Sequence, residues 1–339
     1  MSSLPLVELS HKLSGTLLAL TSIVNYILIY LTLFHAHNLF GTYRHLIVTF
    51  AVFGIFYSCL EFLTKPILHL HKSSLVLFTL ESPLRASDFV TTVMLASFTG
   101  FHFSILTLLC VQFLYRYWSM FDCRKVRLFA KNRIVYWILG VILSGCLWVF
   151  FSYHAMSCDS FSRFYLKSEF WEKYRVDTSY LNCISLVYVD HTDPNETKIR
   201  WAGVTYLFVI SVLLTTKLSI MMYCGLKMAA KVNKRSNFRS SKHHKQHAYF
   251  LKSLFVQLAA PIAIVYLPTL FLSYAPLLNI VISVPSGIIV VLFAIYPAID
   301  GIIVLVIVAD YRIALKKAFR CATSFMRNSY RQDSIKLYN

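Results

Sequence analysis

Seven long apolar runs, separated by polar segments of unequal length, set the pattern of this chain. They lie at about Leu13–Phe34, His45–Thr64, Asp88–Tyr117, Ile134–Tyr153, Trp201–Cys224, Tyr249–Leu272 and Ile280–Val308. At 1.5 Å rise per residue, each is long enough as a helix to cross a hydrocarbon core of ~30 Å with some tilt. The third run is the organising one. No Lys, Arg, Asp or Glu lies between Asp88 and Arg116, and the run closes on Phe113-Leu-Tyr-Arg-Tyr-Trp118. Counting back from Arg116 at 3.6 residues per turn puts Phe98 on its face, with Gln112, Leu109, Ile105 and His102 within roughly 40° of it. A stripe carrying Arg, Gln and His is expected to face other helices and not lipid. The pattern therefore predicts an all-α membrane protein, a bundle of seven transmembrane helices occupying residues 13–308.

Composition agrees. Hydrophobic residues make up 57% of the chain, charged residues 14%, and the mean hydropathy is +0.61. In such a chain a net charge of +18 describes the loops and is no nucleic-acid footprint. Of the 33 Lys and Arg, 22 fall in the loops after spans one, three and five, in the tail, or at the adjoining ends of spans three (Arg116) and six (Lys252), against 10 on the other side, with Lys217 inside span five. The excess of basic residues marks the cytoplasmic side, so the N-terminal segment 1–12 is expected outside and the tail 309–339 inside. Residues 1–12 carry no basic stretch leading to a small-residue cleavage site, so span one is expected to serve as its own insertion signal. The long polar segment 154–200 then lies outside, with Cys158, Cys183 and the sequon at Asn195, where a disulfide and a glycan are chemically permitted. Cytoplasmic residues 225–248 form a basic loop; His243, His244 and His247 there read as a solvated face with Lys242 and Lys245. The tail from Asp310 to Ala322 alternates bases with an apolar stripe. That predicts an amphipathic helix lying on membrane lipid, with Cys321 a lipidation candidate.

Few positions carry candidate chemistry. Arg116, between Tyr115 and Tyr117, is placed at the inner boundary, either as a coupling contact or as a snorkelling base. His102 lies ~21 Å outward of it and reads equally as a ligand contact or as a core histidine bonded to a neighbouring helix. Phe98 and Ile105 share that face, and Glu61 enters from span two at comparable height. Together these four define a small, mainly apolar binding pocket in the outer half of the bundle. In span seven, Asp300 follows Pro297, which cannot donate a backbone hydrogen bond, so the pair is a candidate switch element. No residue set implies a cofactor or metal. The ionisable groups within the spans are single and scattered, which argues against an enzyme.

Motifs narrow the class. Leu39-Phe-Gly-Thr-Tyr-Arg44, Phe53-Gly-Ile-Phe-Tyr-Ser58, Phe113-Leu-Tyr-Arg-Tyr117 and Tyr296-Pro-Ala-Ile-Asp300 with Asp310-Tyr-Arg312 are arranged as in the nematode serpentine chemoreceptors. From Ser14 to Phe319 the chain resembles their Str class, the group of the diacetyl odorant receptor. The resemblance implies a G-protein-coupled chemosensory receptor of sensory cilia, taking a small-molecule odorant or other chemical cue and activating a heterotrimeric G protein. Some positions depart from the patterns of such receptors: Tyr115 replaces the acid that precedes Arg in the rhodopsin-like group, Gln112 stands where family members often have His, and Gly301 follows Asp300 where Pro is usual. No Cys occupies the outer end of span three. The rival reading is a membrane transporter or channel for a small solute. It would favour inverted repeats with interrupted spans in matching positions, and the chain has neither.

Overall fold

The computed structural model describes residues 4–34, 42–81, 86–130, 132–193, 196–236, 255–278, 286–307, 311–313 and 315–316. Seven helices in it are long and apolar enough to cross a membrane: Val7–Phe34, Tyr43–Thr64, Asp88–Phe121, Arg133–Met156, Trp201–Lys234, Phe255–Leu278 and Ile289–Ile307. These are spans one to seven. Span one differs from the sequence reading in its start. Its helix begins at Leu4, because Val7, Ser10 and Ser14 already pack inward and continue the buried stripe.

Span three has the largest buried share of the seven, 61% of its most apolar window, as expected of a central helix. Its N-terminus is capped by Ser87, whose side chain accepts from Val90 N. Spans three and four cross closely at Gly145, where an added Cβ would collide with Ser104 Oγ. Spans two and seven touch at Gly54, where a Cβ would come within 2.6 Å of Pro297 Cβ. Span six contains a π-helical stretch, Ile262–Tyr266, between Pro261 and Pro268. Both prolines lack an N–H for the regular ladder, and the wider turn accommodates that loss.

The segments between spans two and three and between spans four and five are not simple loops. Ile67–His71 (β1) and Ser74–Thr79 (β2) form a hairpin around Lys72, whose φ is 45°. Asn182–Val187 (β3) adds antiparallel to β2. A second pair, Val189–Asp193 (β4) with Glu196–Ile199 (β5), leads into span five. Strand period sorts the three-stranded sheet into two faces. Leu70, Leu75, Leu77, Ile184 and Leu186 join the core of the bundle. Ile67, Val76, Phe78 and Cys183 join a separate cluster with Leu166, Phe170 and Tyr174 of an outer helix, Ser160–Tyr174. That helix starts at Asp159, whose carboxylate accepts from Ser162 N at 2.8 Å. Arg163 fastens its far side by donating to the carbonyls of Thr178, Ser179 and Leu181. The sheet therefore lies as a layer between the bundle and the outer helix. Cys158 and Cys183 are joined as a disulfide with Cα atoms 5.7 Å apart, tying the start of this segment to β3.

Candidate functional site

The apolar face of the sheet closes one end of a cavity of about 120 Å³. Leu68, Leu75, Leu77, Ile184 and Leu186 form its roof. Its walls come from Phe98, Thr99, His102, Phe103 and Leu106 of span three, Trp148 and Met156 of span four, and Tyr206, Ile210 and Leu214 of span five. Thr269, Leu272 and Ser273 of span six and Val290 and Phe293 of span seven complete it. The lining is almost wholly apolar and aromatic, with a few hydroxyls and one imidazole. An engineered apolar cavity of ~150 Å³ holds benzene, so this space suits a ligand of a few heavy atoms unless side chains shift.

His102 sits in the wall with both ring nitrogens in use. Nδ1 is 3.2 Å from Tyr57 Oη on span two, and Nε2 is 3.2 Å from Thr269 Oγ1 on span six. Its ring lies 5.0 Å from that of Phe293, so the imidazole connects four spans. Phe98 lines the cavity and stacks on Tyr57 at 4.8 Å. Two of the four pocket residues expected from sequence are placed elsewhere. Glu61 is turned away, toward span one, and accepts from Ser14 Oγ at 2.6 Å. A carboxylate buried on span two needs a donor, and Ser14 is the one within reach. Ile105 is buried in the bundle core and does not line the cavity, because its neighbours Phe103 and Leu106 occupy that wall. Residues that the sequence reading missed include Tyr188, whose hydroxyl donates to Ser273 O at 3.0 Å and pins the sheet layer to span six.

At the opposite end, Arg116 is held by three spans. Its Nε donates to Tyr43 Oη of span two at 2.7 Å, and Nη1 donates to Gln257 Oε1 of span six. The guanidinium also lies 5.2 Å from the Tyr43 ring centroid and 5.8 Å from that of Phe113. Tyr115 stacks on Tyr43 at 5.1 Å and meets Phe129 edge-on. Tyr117 turns outward to Tyr223 of span five, 5.8 Å away. The two tyrosines flanking Arg116 thus serve different helix pairs. Asp300 is buried one turn after Tyr296, whose hydroxyl donates to it at 3.5 Å, and it is near enough to Arg116 for their charges to interact. The helix continues through Pro297.

Lys217, inside span five, points inward, with Nζ 2.8 Å from Thr107 Oγ1 and 3.0 Å from the Phe103 ring centroid. The same Phe103 ring lines the cavity. A lysine in the middle of a span with a hydroxyl one helix away was the signal available for this. Asn195, Cys321 and His243 lie outside the described residues. Of the expected amphipathic tail, residues 311–313 and 315–316 are helical, and Tyr311 is buried with its hydroxyl 2.8 Å from Thr32 Oγ1.

Seven apolar spans, five of them around a sheet-roofed cavity, with one arginine joining spans two, three and six at the far end, are the architecture of heptahelical membrane receptors. The chain belongs to the family of serpentine type 7TM GPCR chemoreceptors Str, whose pattern it matches over residues 10–316. It is 31% identical to the G-protein coupled receptor str-33 of Caenorhabditis elegans, over 92% of this chain and 91% of that one. It is 24% identical to the serpentine receptor class r-10 of C. elegans, over 86% of each chain. With the C. briggsae serpentine receptor class r-10 the identity is 23%, over 89% of this chain and 87% of the other. This is a multi-pass membrane protein of a receptor family and not of an enzyme family.

Proposed function

We propose that the chain is a chemosensory receptor that takes a small, neutral or weakly polar molecule into the cavity beneath the sheet and activates a heterotrimeric G protein at the Arg116 end. The observation that carries this reading is the cavity itself: apolar, aromatic, roofed by the sheet and bounded by spans three to seven. Such a space rewards shape and apolar area, about 25 cal/mol per Å² buried, and leaves orientation to a few polar groups. His102, Thr269 and Ser273 supply those groups. Arg116, Tyr115 and Tyr117 form the inner contact, and Asp300 with Pro297 forms the switch element of span seven that responds to it. Span six runs past both ends, with Thr269 at the cavity, Gln257 at Arg116 and the π-helical turn between them. A ligand that moves Thr269 would be transmitted through that turn.

The sheet layer is extracellular in this reading and the Arg116 end cytoplasmic, following the distribution of basic residues. Asn195 then carries a glycan and Cys321 a lipid anchor against the inner leaflet, and the receptor works in the plasma membrane of sensory cilia. The test is a screen of volatile and soluble small molecules on cells expressing the chain, read as G-protein activation. An agonist whose effect is lost in Arg116→Ala at equal surface delivery supports the proposal. Full signalling by that variant contradicts it.

A further inference from the structure

The outer face of the sheet holds a cluster that the receptor function does not use. His69 and His71 alternate on β1, so their side chains project from one face of the strand, with rings nearly parallel and centroids 6.4 Å apart. Glu169 of the outer helix reaches between them. His69 Nε2 is 3.5 Å from one carboxylate oxygen, and His71 Nδ1 is 3.4 Å from the other. One ligand atom from each residue lies within 4.8 Å of the others. In a tetrahedral zinc site with bonds of ~2.1 Å, neighbouring ligand atoms stand ~3.4 Å apart, which is the spacing of the two His–Glu pairs.

We propose that His69, His71 and Glu169 bind a borderline divalent transition ion of the Zn²⁺ type, clamping the β1–β2 hairpin to the outer helix.

Three further observations support a ligand here. His69 is 5% exposed and its Nε2 makes no hydrogen bond, although it is aimed at Glu169. Its Nδ1 is 3.1 Å from Tyr174 Oη, a partner that can accept from Nδ1–H in the tautomer that a metal on Nε2 requires. The Glu169 side chain is only 14% exposed, so its two oxygens, one toward each ring, are largely turned away from solvent. Two neutral imidazoles and a carboxylate are a donor set for Zn²⁺ or Cu²⁺, not for Ca²⁺ or Mg²⁺. Lys173, 2.6 Å from Glu169, is the group that opposes the ion. It shares the carboxylate without supplying a lone pair, so its removal should tighten binding.

The experiment uses the full-length receptor in detergent micelles, titrated with Co²⁺ and read by its visible d–d bands, followed by displacement with Zn²⁺. One equivalent per chain is expected. Each of His71→Ala and Glu169→Gln should weaken binding by about tenfold or more. Lys173→Met should strengthen it, and His154→Ala, at the end of span four, should leave it unchanged. Size-exclusion elution and surface delivery check that the variants fold. Where His71→Ala does not, Glu169→Gln, which keeps the side-chain shape, carries the comparison, with Zn²⁺ expected to raise the melting temperature of the wild type but not of this variant. Absence of a one-equivalent site in the wild type overturns the proposal, as does equal affinity in wild type and Glu169→Gln.

Discussion

Arg116 donates a hydrogen bond to Gln257, joining the end of span three to span six across 141 residues of sequence. The same guanidinium holds Tyr43 of span two at 2.7 Å. A hydrogen bond to a charged group is worth about 1.5–3 kcal/mol, so releasing span six from this contact has a substantial effect on the balance between bundle arrangements. Gln257→Leu keeps the volume and removes the acceptor. It is expected to raise agonist-independent G-protein activity several-fold, while Arg116→Ala abolishes coupling but leaves ligand binding intact. Nucleotide exchange on a purified G protein, with surface expression matched, measures both. Basal activity in Gln257→Leu equal to wild type would reject the contact as a restraint.

The cavity wall offers a second prediction. His102 bonds to Tyr57 and Thr269, so His102→Phe removes two neutral hydrogen bonds while retaining a ring. At about 1 kcal/mol each, the loss of one bond that matters to the bound state shifts an agonist midpoint about fivefold. Tyr57→Phe tests the same network from span two and should move the midpoint in the same direction. Dose–response curves corrected for surface density decide it. Unchanged midpoints in both variants would remove His102 from the ligand site.

The close contact between spans two and seven gives a third. A side chain at position 54 must displace Pro297, since its Cβ would come within 2.6 Å of the proline Cβ and no flexible chain end lies there to yield. Gly54→Val is expected to cost about 1–3 kcal/mol as an overpacked core and to lower the melting temperature of the purified receptor. A melting temperature equal to wild type would mean that the two spans separate without cost.

The seven spans were legible because long uncharged runs admit few other structures in lipid. The stripe through Arg116, Gln112 and His102 was legible because helical period fixes which residues share a face. The direction of Glu61 was not, since its partner Ser14 lies on a helix whose rotation no local pattern sets. The sheet layer escaped for a different reason. β2 is buried on both faces, so Ser74–Thr79 shows no alternation and reads as a short apolar stretch. The two runs flanking Lys72-Ser73 carried a hairpin signal that a reading by loops passed over. In the outer helix, the stripe Leu166, Phe170, Tyr174 is narrow and surrounded by charge, which concealed it in a segment read as polar loop.

The disulfide supplies a fourth prediction. Cys158 and Cys183 close a loop with a sequence separation of 25, for which the chain-entropy estimate is roughly 3–4 kcal/mol. Cys183→Ser is expected to lower the denaturation midpoint and to increase proteolysis within 158–200 while sparing the spans. Mass analysis after alkylation under non-reducing conditions checks the bond itself. Modification of both cysteines in the folded wild type would contradict it.

Topology yields the fifth. With the sheet layer outside, Asn195→Gln is expected to abolish a glycosidase-sensitive mass shift, and an epitope at His243 is expected to stain only permeabilised cells. Staining of intact cells at His243 would invert the arrangement.

The most direct test of the central claim fills the cavity. Leu214→Phe adds a ring to a space of about 120 Å³ from the span-five wall, distant in sequence from both Arg116 and the outer helix. The measurement is the dose–response of an identified small-molecule agonist in wild type and in Leu214→Phe, at matched surface density, with G-protein activation as the readout. A loss of potency of about tenfold or more, with basal activity retained, is the predicted result. An unchanged midpoint in the filled variant would contradict ligand binding beneath the sheet.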